Sequence, residues 1–82
     1  MKQEHTFTLT ISKVNAPLFH GEAQSVTLPG TEGEFTILAH HAPLISILKK
    51  GTILVRNREG IKSFTIENGL LETSNGQVTV LV

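Results

Sequence analysis

Turn-forming residues recur along the whole chain and divide it into short segments, none of which keeps a helical apolar period. The dipeptides Asn68-Gly69 and Asn75-Gly76 and the polar connection Asn57–Gly60 are typical of tight turns and hairpins. Between the turns, apolar and polar residues alternate, most clearly in Phe7–Ile11 and Gln77–Val82. The pattern predicts an all-β sandwich or barrel, and two packed antiparallel sheets would cover the apolar faces economically.

The stretch Gly21–Leu48 is the least regular part of the chain. It contains two short apolar runs, a glycine-bearing connection between them, and a loop with two histidines and a proline. Because loops on rigid β scaffolds commonly carry recognition residues, we expect binding to be concentrated here. Five residues are predicted to shape turns, through the fixed φ of proline or the conformational freedom of glycine. They are Pro29, Gly30, Gly33, Pro43 and Gly69.

Length and charge restrict the function classes. With 82 residues, the chain is predicted to form one domain over residues 1–82. Seven basic residues balance seven acidic ones without a basic block, so the sequence shows no electrostatic footprint for nucleic acid. No apolar run approaches the roughly 18 residues that span a bilayer, so we expect no direct membrane insertion. The lack of cysteine excludes disulfides and cysteine-based zinc sites.

Candidate catalytic and metal-binding residues are few. The four histidines, which include the adjacent pair His40 and His41, match no zinc signature and are most simply interpreted as loop or surface residues. Glu22, Glu32 and Glu34 have no candidate nucleophile beside them, and the loop around the last two is not followed by a helix that would bind phosphate. We therefore predict no catalytic residue, no metal and no cofactor. The residues alone indicate a binding or assembly module.

Four motifs carry a resemblance to a known family. In chain order they are Phe19-His20-Gly21-Glu22-Ala23, Val26-Thr27-Leu28-Pro29-Gly30, Glu32-Gly33-Glu34-Phe35 and His41-Ala42-Pro43-Leu44. In this order and at these separations they resemble the epsilon subunit of the rotary F-type ATP synthase. The similarity covers nearly the whole chain from about Phe7. One departure lies in the histidine loop, where the family pattern has Pro-Gly and this chain has Ala39-His40.

The resemblance implies a ten-stranded β-sandwich, the amino-terminal domain of that subunit. In the family, this domain lies at the foot of the central stalk, with one surface on the gamma subunit and its bottom edge against the polar loops of the c-ring. It has no active site and helps to couple ion translocation to ATP synthesis. By this resemblance, the ring-facing loops would present Glu32, Glu34, His40 and His41. The expected location is peripheral, on the cytoplasmic face of a bacterial cell membrane.

The family usually continues past the position of Val82 into a helical hairpin that regulates hydrolysis. Because this sequence ends there, we expect no C-terminal helical hairpin, no inhibition by such a hairpin and no helical ATP site. Two alternatives stay open. One is a free-standing β-sandwich that binds a ligand or carbohydrate near His40 and His41. The other is an enzyme, whose activity would depend on Glu34 or His41.

Overall fold

Nine β-strands form the regular structure of the computed structural model, which describes residues 5–82. The strands are β1 (Phe7–Lys13), β2 (Ala16–Ala23), β3 (Ser25–Gly30), β4 (Gly33–Leu38), β5 (Leu44–Leu48), β6 (Gly51–Asn57), β7 (Gly60–Ile66), β8 (Gly69–Ser74) and β9 (Gln77–Leu81). The described range contains no helix, so the prediction of an all-β fold is confirmed, with nine strands where about ten were expected. Nor does any helix suited to crossing a bilayer occur between residues 5 and 82.

The strands form two layers that are joined at one corner. The order β2-β1-β9-β8-β5 makes up the first layer, which we call sheet I. The second layer, sheet II, has the order β4-β3-β6-β7. At the far edge of sheet I, β2 continues through Gln24 directly into β3 of sheet II, and the backbone N–H of Gln24 donates a 2.8 Å hydrogen bond to the carbonyl of Arg56 in β6. The two layers therefore enclose a common interior, as predicted for a sandwich.

The core fills this interior with side chains from all nine strands. Each contributing strand turns alternate residues inward, because successive side chains of a strand point to opposite faces. The buried apolar residues are Phe7, Leu9, Ile11, Ala23, Val26, Leu28, Ile37, Leu48, Ile53, Val55, Ile66, Leu71, Val78 and Val80. Close packing of such branched side chains makes the interior resistant to compression. The alternation in the sequence therefore defines both the core and, by exclusion, the two outer faces.

The corner between the sheets is a short contact between β3 and β5. Gly30 pairs with Leu48, and the backbone N–H of Lys49 donates a 2.8 Å hydrogen bond to the carbonyl of Pro29. The first half of β3 pairs instead with β6, so β3 changes neighbour along its length. Because β3 pairs with β6 in its first half and with β5 at its end, it connects sheet II to sheet I.

Two glycines permit the close approach of the chains at this corner. A Cβ atom on Gly30 would lie 2.7 Å from Cε1 of Phe35 and 2.8 Å from the carbonyl oxygen of Gly33. A Cβ atom on Gly51 would lie 2.7 Å from Cβ of Pro29. All three distances are shorter than non-bonded contacts of a Cβ atom allow, so only glycine fits at these two positions without a shift of the neighbours.

The structure corrects the predicted role of three turn residues. Pro29 and Gly30 are the buried last residues of β3, and the two-residue turn that follows them is Thr31-Glu32. Gly69 is the first residue of β8 and has no positive φ. Its requirement is spatial, because a Cβ there would lie 2.8 Å from the carbonyl oxygen of Leu81. Proline and glycine thus mark close packing here rather than the turn itself.

Two other predicted turns are confirmed. Asn75 and Gly76 form the two-residue connection of the β8–β9 hairpin, with positive φ values of 50° and 77°, as predicted. The connection Asn57–Gly60 also forms the predicted hairpin, between β6 and β7.

One pairing departs from the antiparallel expectation, since β1 and β9 run parallel at the middle of sheet I. These two strands lie at opposite ends of the sequence, so no turn signal between them reports their pairing.

Candidate functional site

The outer face of sheet I carries a row of apolar side chains in adjacent strands. Ile47 of β5 lies directly opposite Leu70 of β8, and Leu70 lies directly opposite Leu81 of β9. Their side chains are 39–63% exposed. Ile45, two residues before Ile47 on the same face of β5, is exposed as well. The direct cross-strand neighbour of Ile45 is Glu72, so we call only Ile47, Leu70 and Leu81 the apolar row. Contiguous exposed apolar surface of this kind marks an interaction site.

The outer face of sheet II has apolar residues of similar exposure, which border one cleft of about 240 Å³ but are not direct cross-strand neighbours of one another. Leu38, Leu54 and Ile61 are 41–59% exposed. Every direct cross-strand neighbour of these three is polar: Ser25 beside Leu38, Thr27 and Ser63 beside Leu54, and Arg56 beside Ile61. Exposure alone therefore does not distinguish the two faces, whereas the arrangement of neighbours does.

The acidic end of the molecule is the hairpin between β3 and β4. Glu32 lies in its two-residue turn, and Glu34 is the second residue of β4. Both side chains are exposed. Gly33 has a φ of 132°, a conformation that side-chain-bearing residues rarely adopt, so glycine is required at this point of the hairpin. The fold thus holds two exposed carboxylates at this hairpin, one in the turn and one at the start of β4.

The loop between β4 and β5 gives its two histidines different environments. His40 is exposed, has a φ of 65°, and places Nε2 3.1 Å from Nδ1 of His5. His41 is half-buried, and its Nδ1 is hydrogen-bonded to the carbonyl oxygen of Leu38. Pro43, the predicted turn residue of this loop, directly precedes β5. The loop therefore turns one imidazole outward and the other toward the protein.

The acids and the histidines flank β4 rather than forming one cluster. Glu34 stands near its start, whereas His40 and His41 follow its end at Leu38. At roughly 3.3 Å per residue, the strand separates Glu34 from Leu38 by about 13 Å. A partner that contacts both groups must therefore cover the length of β4.

Two clefts lie elsewhere on the surface. One of about 280 Å³ is lined by residues that include Phe19, His20, Glu22 and Lys62. A shallower groove of about 470 Å³ runs between the acidic hairpin and β5, next to Ile45. Neither of these clefts reaches the histidine loop, whereas another, of about 420 Å³, borders the last residue of that loop, Pro43. Across the described residues, no three potential metal-ligating side chains come together.

The apolar row was not predicted from the sequence. Its signal was present in β5, because Leu44–Leu48 has apolar residues at four of five positions and thus on both faces of the strand. A strand that is covered on one side only would show stricter alternation. The partners of β5 in the row, Leu70 and Leu81, lie on strands whose pairing the sequence does not reveal.

Comparison with known proteins places the chain among domains of one family. Residues 6–82 match the family model described as ATP synthase, Delta/Epsilon chain, beta-sandwich domain. The chain is 46% identical over 77 residues to the ATP synthase epsilon chain of Bordetella avium, covering 90% of this chain and 55% of the relative. It is 34% identical over 77 residues to that of Leptospira borgpetersenii, covering 94% and 61%. The chain thus spans little more than half the length of these curated relatives.

Among solved structures, the fold is similar to that of a chain in the cryo-EM structure of Euglena gracilis mitochondrial ATP synthase. The TM-score is 0.87 at 22% sequence identity, with 94% of this chain and 50% of that chain covered. At this identity, the likeness supports the β-sandwich fold and says nothing about individual contacts.

Proposed function

This chain belongs to the family of ATP synthase delta and epsilon chain β-sandwich domains, and from that membership we propose that it is a central-stalk rotor module. In this proposal, residues 1–82 form one domain that binds the gamma subunit and the c-ring. The domain has no active site and couples ion translocation to ATP synthesis mechanically. It is peripheral, as part of a complex on the cytoplasmic face of a bacterial membrane.

The observation that carries the proposal is the apolar row on sheet I. Ile47, Leu70 and Leu81 occupy one continuous line across three paired strands and leave much of their surface exposed. Burial of apolar area contributes about 25 cal/mol per Å², so a partner that covers the row gains affinity from each member. We assign this face to the gamma subunit, because its exposed apolar side chains are direct neighbours across paired strands, whereas those of the other outer face have polar direct neighbours.

We assign the acidic hairpin and the histidine loop to the c-ring. Glu32 and Glu34 are exposed on the hairpin, and His40 is exposed in the loop with His41 beside it. The length of β4 between these groups fits a broad partner surface that is built from repeated polar loops. Exposed charged and polar groups contribute modest affinity and mainly fix orientation, which suits a contact secondary to that with gamma.

The fold also suits a part that transmits torque. Its core is filled by apolar side chains from every strand, most of them branched, and the corner between the sheets is packed around Gly30 and Gly51 without room for a Cβ atom. Densely packed interiors have low compressibility and transmit strain. A module of this kind loses little of an applied rotation in its own deformation.

Titration of the chain with its cognate gamma subunit, followed by calorimetry, tests the gamma assignment. We expect a saturable one-to-one complex with a negative heat-capacity change, the marker of apolar burial. A folded chain that shows no binding to gamma at tens of micromolar would overturn the proposal.

A further inference from the structure

His41 is oriented toward its own loop rather than toward solvent. Its Nδ1 is hydrogen-bonded to the carbonyl oxygen of Leu38, the last residue of β4. A carbonyl oxygen only accepts, so Nδ1 carries a proton and donates this hydrogen bond. The bond closes a loop of three residues over the end of the strand.

The remaining polar atom of the ring is also turned inward. Nε2 is shielded from solvent and has no hydrogen-bond partner among the described residues. The ring packs edge to face with Phe7, a core residue, at a centroid separation of 5.7 Å. Neither nitrogen of His41 is therefore positioned to meet a surface that approaches the loop from outside.

A second hydrogen bond holds the same loop to the other sheet. The hydroxyl of Thr73, a buried residue of β8, donates a 3.1 Å hydrogen bond to the carbonyl of Ala42. Residues 41 and 42 are thus held to sheet II through Leu38 and to sheet I through Thr73. With these two hydrogen bonds in place, the exposed member of the pair, His40, projects at the surface of the loop.

We propose that His41 is a positioning residue, which holds the loop in shape through its Nδ1–H and does not itself touch the c-ring. The inference rests on the proposed function only for its binding consequence. The proton on Nδ1, the loop order and the inward orientation are properties of the isolated chain.

Asparagine and glutamine separate the two nitrogens of the ring. The side-chain NH₂ of asparagine lies near the position of Nδ1, whereas that of glutamine extends to the position of Nε2. We therefore expect His41→Asn to keep the bond to Leu38, and His41→Gln and His41→Ala to lose it. For the measurements on the free chain, His40→Asn is the matched control, because it removes the neighbouring imidazole while asparagine tolerates the positive φ.

Two measurements on the free chain test the positioning role. Long-range ¹H–¹⁵N NMR of the imidazole should show a proton on Nδ1 of His41. Backbone order parameters of residues 39–42 should stay near the rigid value of about 0.85 in wild type and His41→Asn, and fall below about 0.6 in His41→Gln and His41→Ala. An unprotonated Nδ1, or a loop that stays equally ordered in all variants, would overturn the inference.

A third measurement is the affinity for a complex of the cognate gamma subunit and c-ring. We expect His41→Asn to bind within about threefold of wild type and His41→Gln to bind about tenfold more weakly, roughly the effect of one lost hydrogen bond. Equal losses in His41→Asn and His41→Gln, without loss of order, would show direct contact instead. If the wild-type chain itself fails to bind, the proposed function fails while the NMR result on His41 still stands.

Discussion

The two outer faces of the sandwich expose similar apolar side chains but distribute them differently. On sheet I, Ile47, Leu70 and Leu81 are direct cross-strand neighbours. On sheet II, Leu38 and its apolar companions are each separated by serine, threonine or arginine. Burial of apolar area contributes most where one partner covers it continuously. The outer face of sheet I is therefore better suited to a stable contact, and that of sheet II to exposure to solvent. Arrangement, rather than exposure, therefore distinguishes a binding face from an ordinary surface.

The largest expected effect is at the corner that holds the two faces in their relative orientation. Gly30→Ala should lower the free energy of unfolding by about 3 kcal/mol, because its Cβ would clash with the ring of Phe35 and the backbone of Gly33. Urea denaturation followed by circular dichroism measures the change. Gly21→Ala is the control, since its Cβ would meet Phe19 at an ordinary 3.6 Å. Equal stabilities of the two variants would show that the corner is not tightly packed.

The comparison of the faces is tested most directly by matched double substitutions. Ile47→Thr with Leu81→Thr should weaken gamma binding by about 100-fold, because each change removes on the order of 1.4 kcal/mol of apolar burial. Leu54→Thr with Ile61→Thr makes the same chemical change on sheet II and should alter affinity by less than about threefold. Calorimetric titration of both variants measures the difference. A reversed order would exchange the assignments of the two faces.

A smaller effect is expected in the loop that connects the faces. His40 holds a positive φ of 65°, where a Cβ atom is disfavoured by about 1–2 kcal/mol, while glycine loses about 0.5–1 kcal/mol more entropy on folding. His40→Gly should therefore raise the free energy of unfolding by up to about 1 kcal/mol. Asn75→Gly should gain less, because asparagine tolerates its φ of 50°. Thermal unfolding measures the stability of both variants. A lower stability of His40→Gly than of wild type would show that the contact of His40 with His5 contributes more free energy than the strained backbone costs.

The smallest expected effect concerns the hydroxyl groups of sheet II. Thr27 and Thr36 are cross-strand partners whose Oγ1 atoms lie 2.8 Å apart. Thr27→Val should change stability by at most about 0.5 kcal/mol, because solvent replaces the lost bond while valine keeps the β propensity. A double-mutant cycle with Thr36→Val isolates the coupling energy. Gamma affinity should not change, and a loss beyond threefold would indicate that this face is also covered.

Local signals predicted the class of the fold and most of its hairpins. Asn75-Gly76 forms the two-residue turn that its dihedral preferences demand, and alternation correctly predicts the inward residues of β1 and β9. Predictions from local signals were wrong where a residue type has more than one structural role. Pro29-Gly30 and Gly69 were assigned to turns because glycine permits positive φ, yet both glycines serve close packing against another strand.

The sequence by itself determined where strands begin, which side chains turn inward and which residues are available for contact, because these depend on backbone preferences within a few positions. Only the tertiary structure decided that Ile47, Leu70 and Leu81 form a line, that β1 pairs with β9, and that His41 points inward while His40 does not. Those outcomes depend on the register between strands that are distant along the chain. Register is set by the packing of the whole core, and no local pattern contains it.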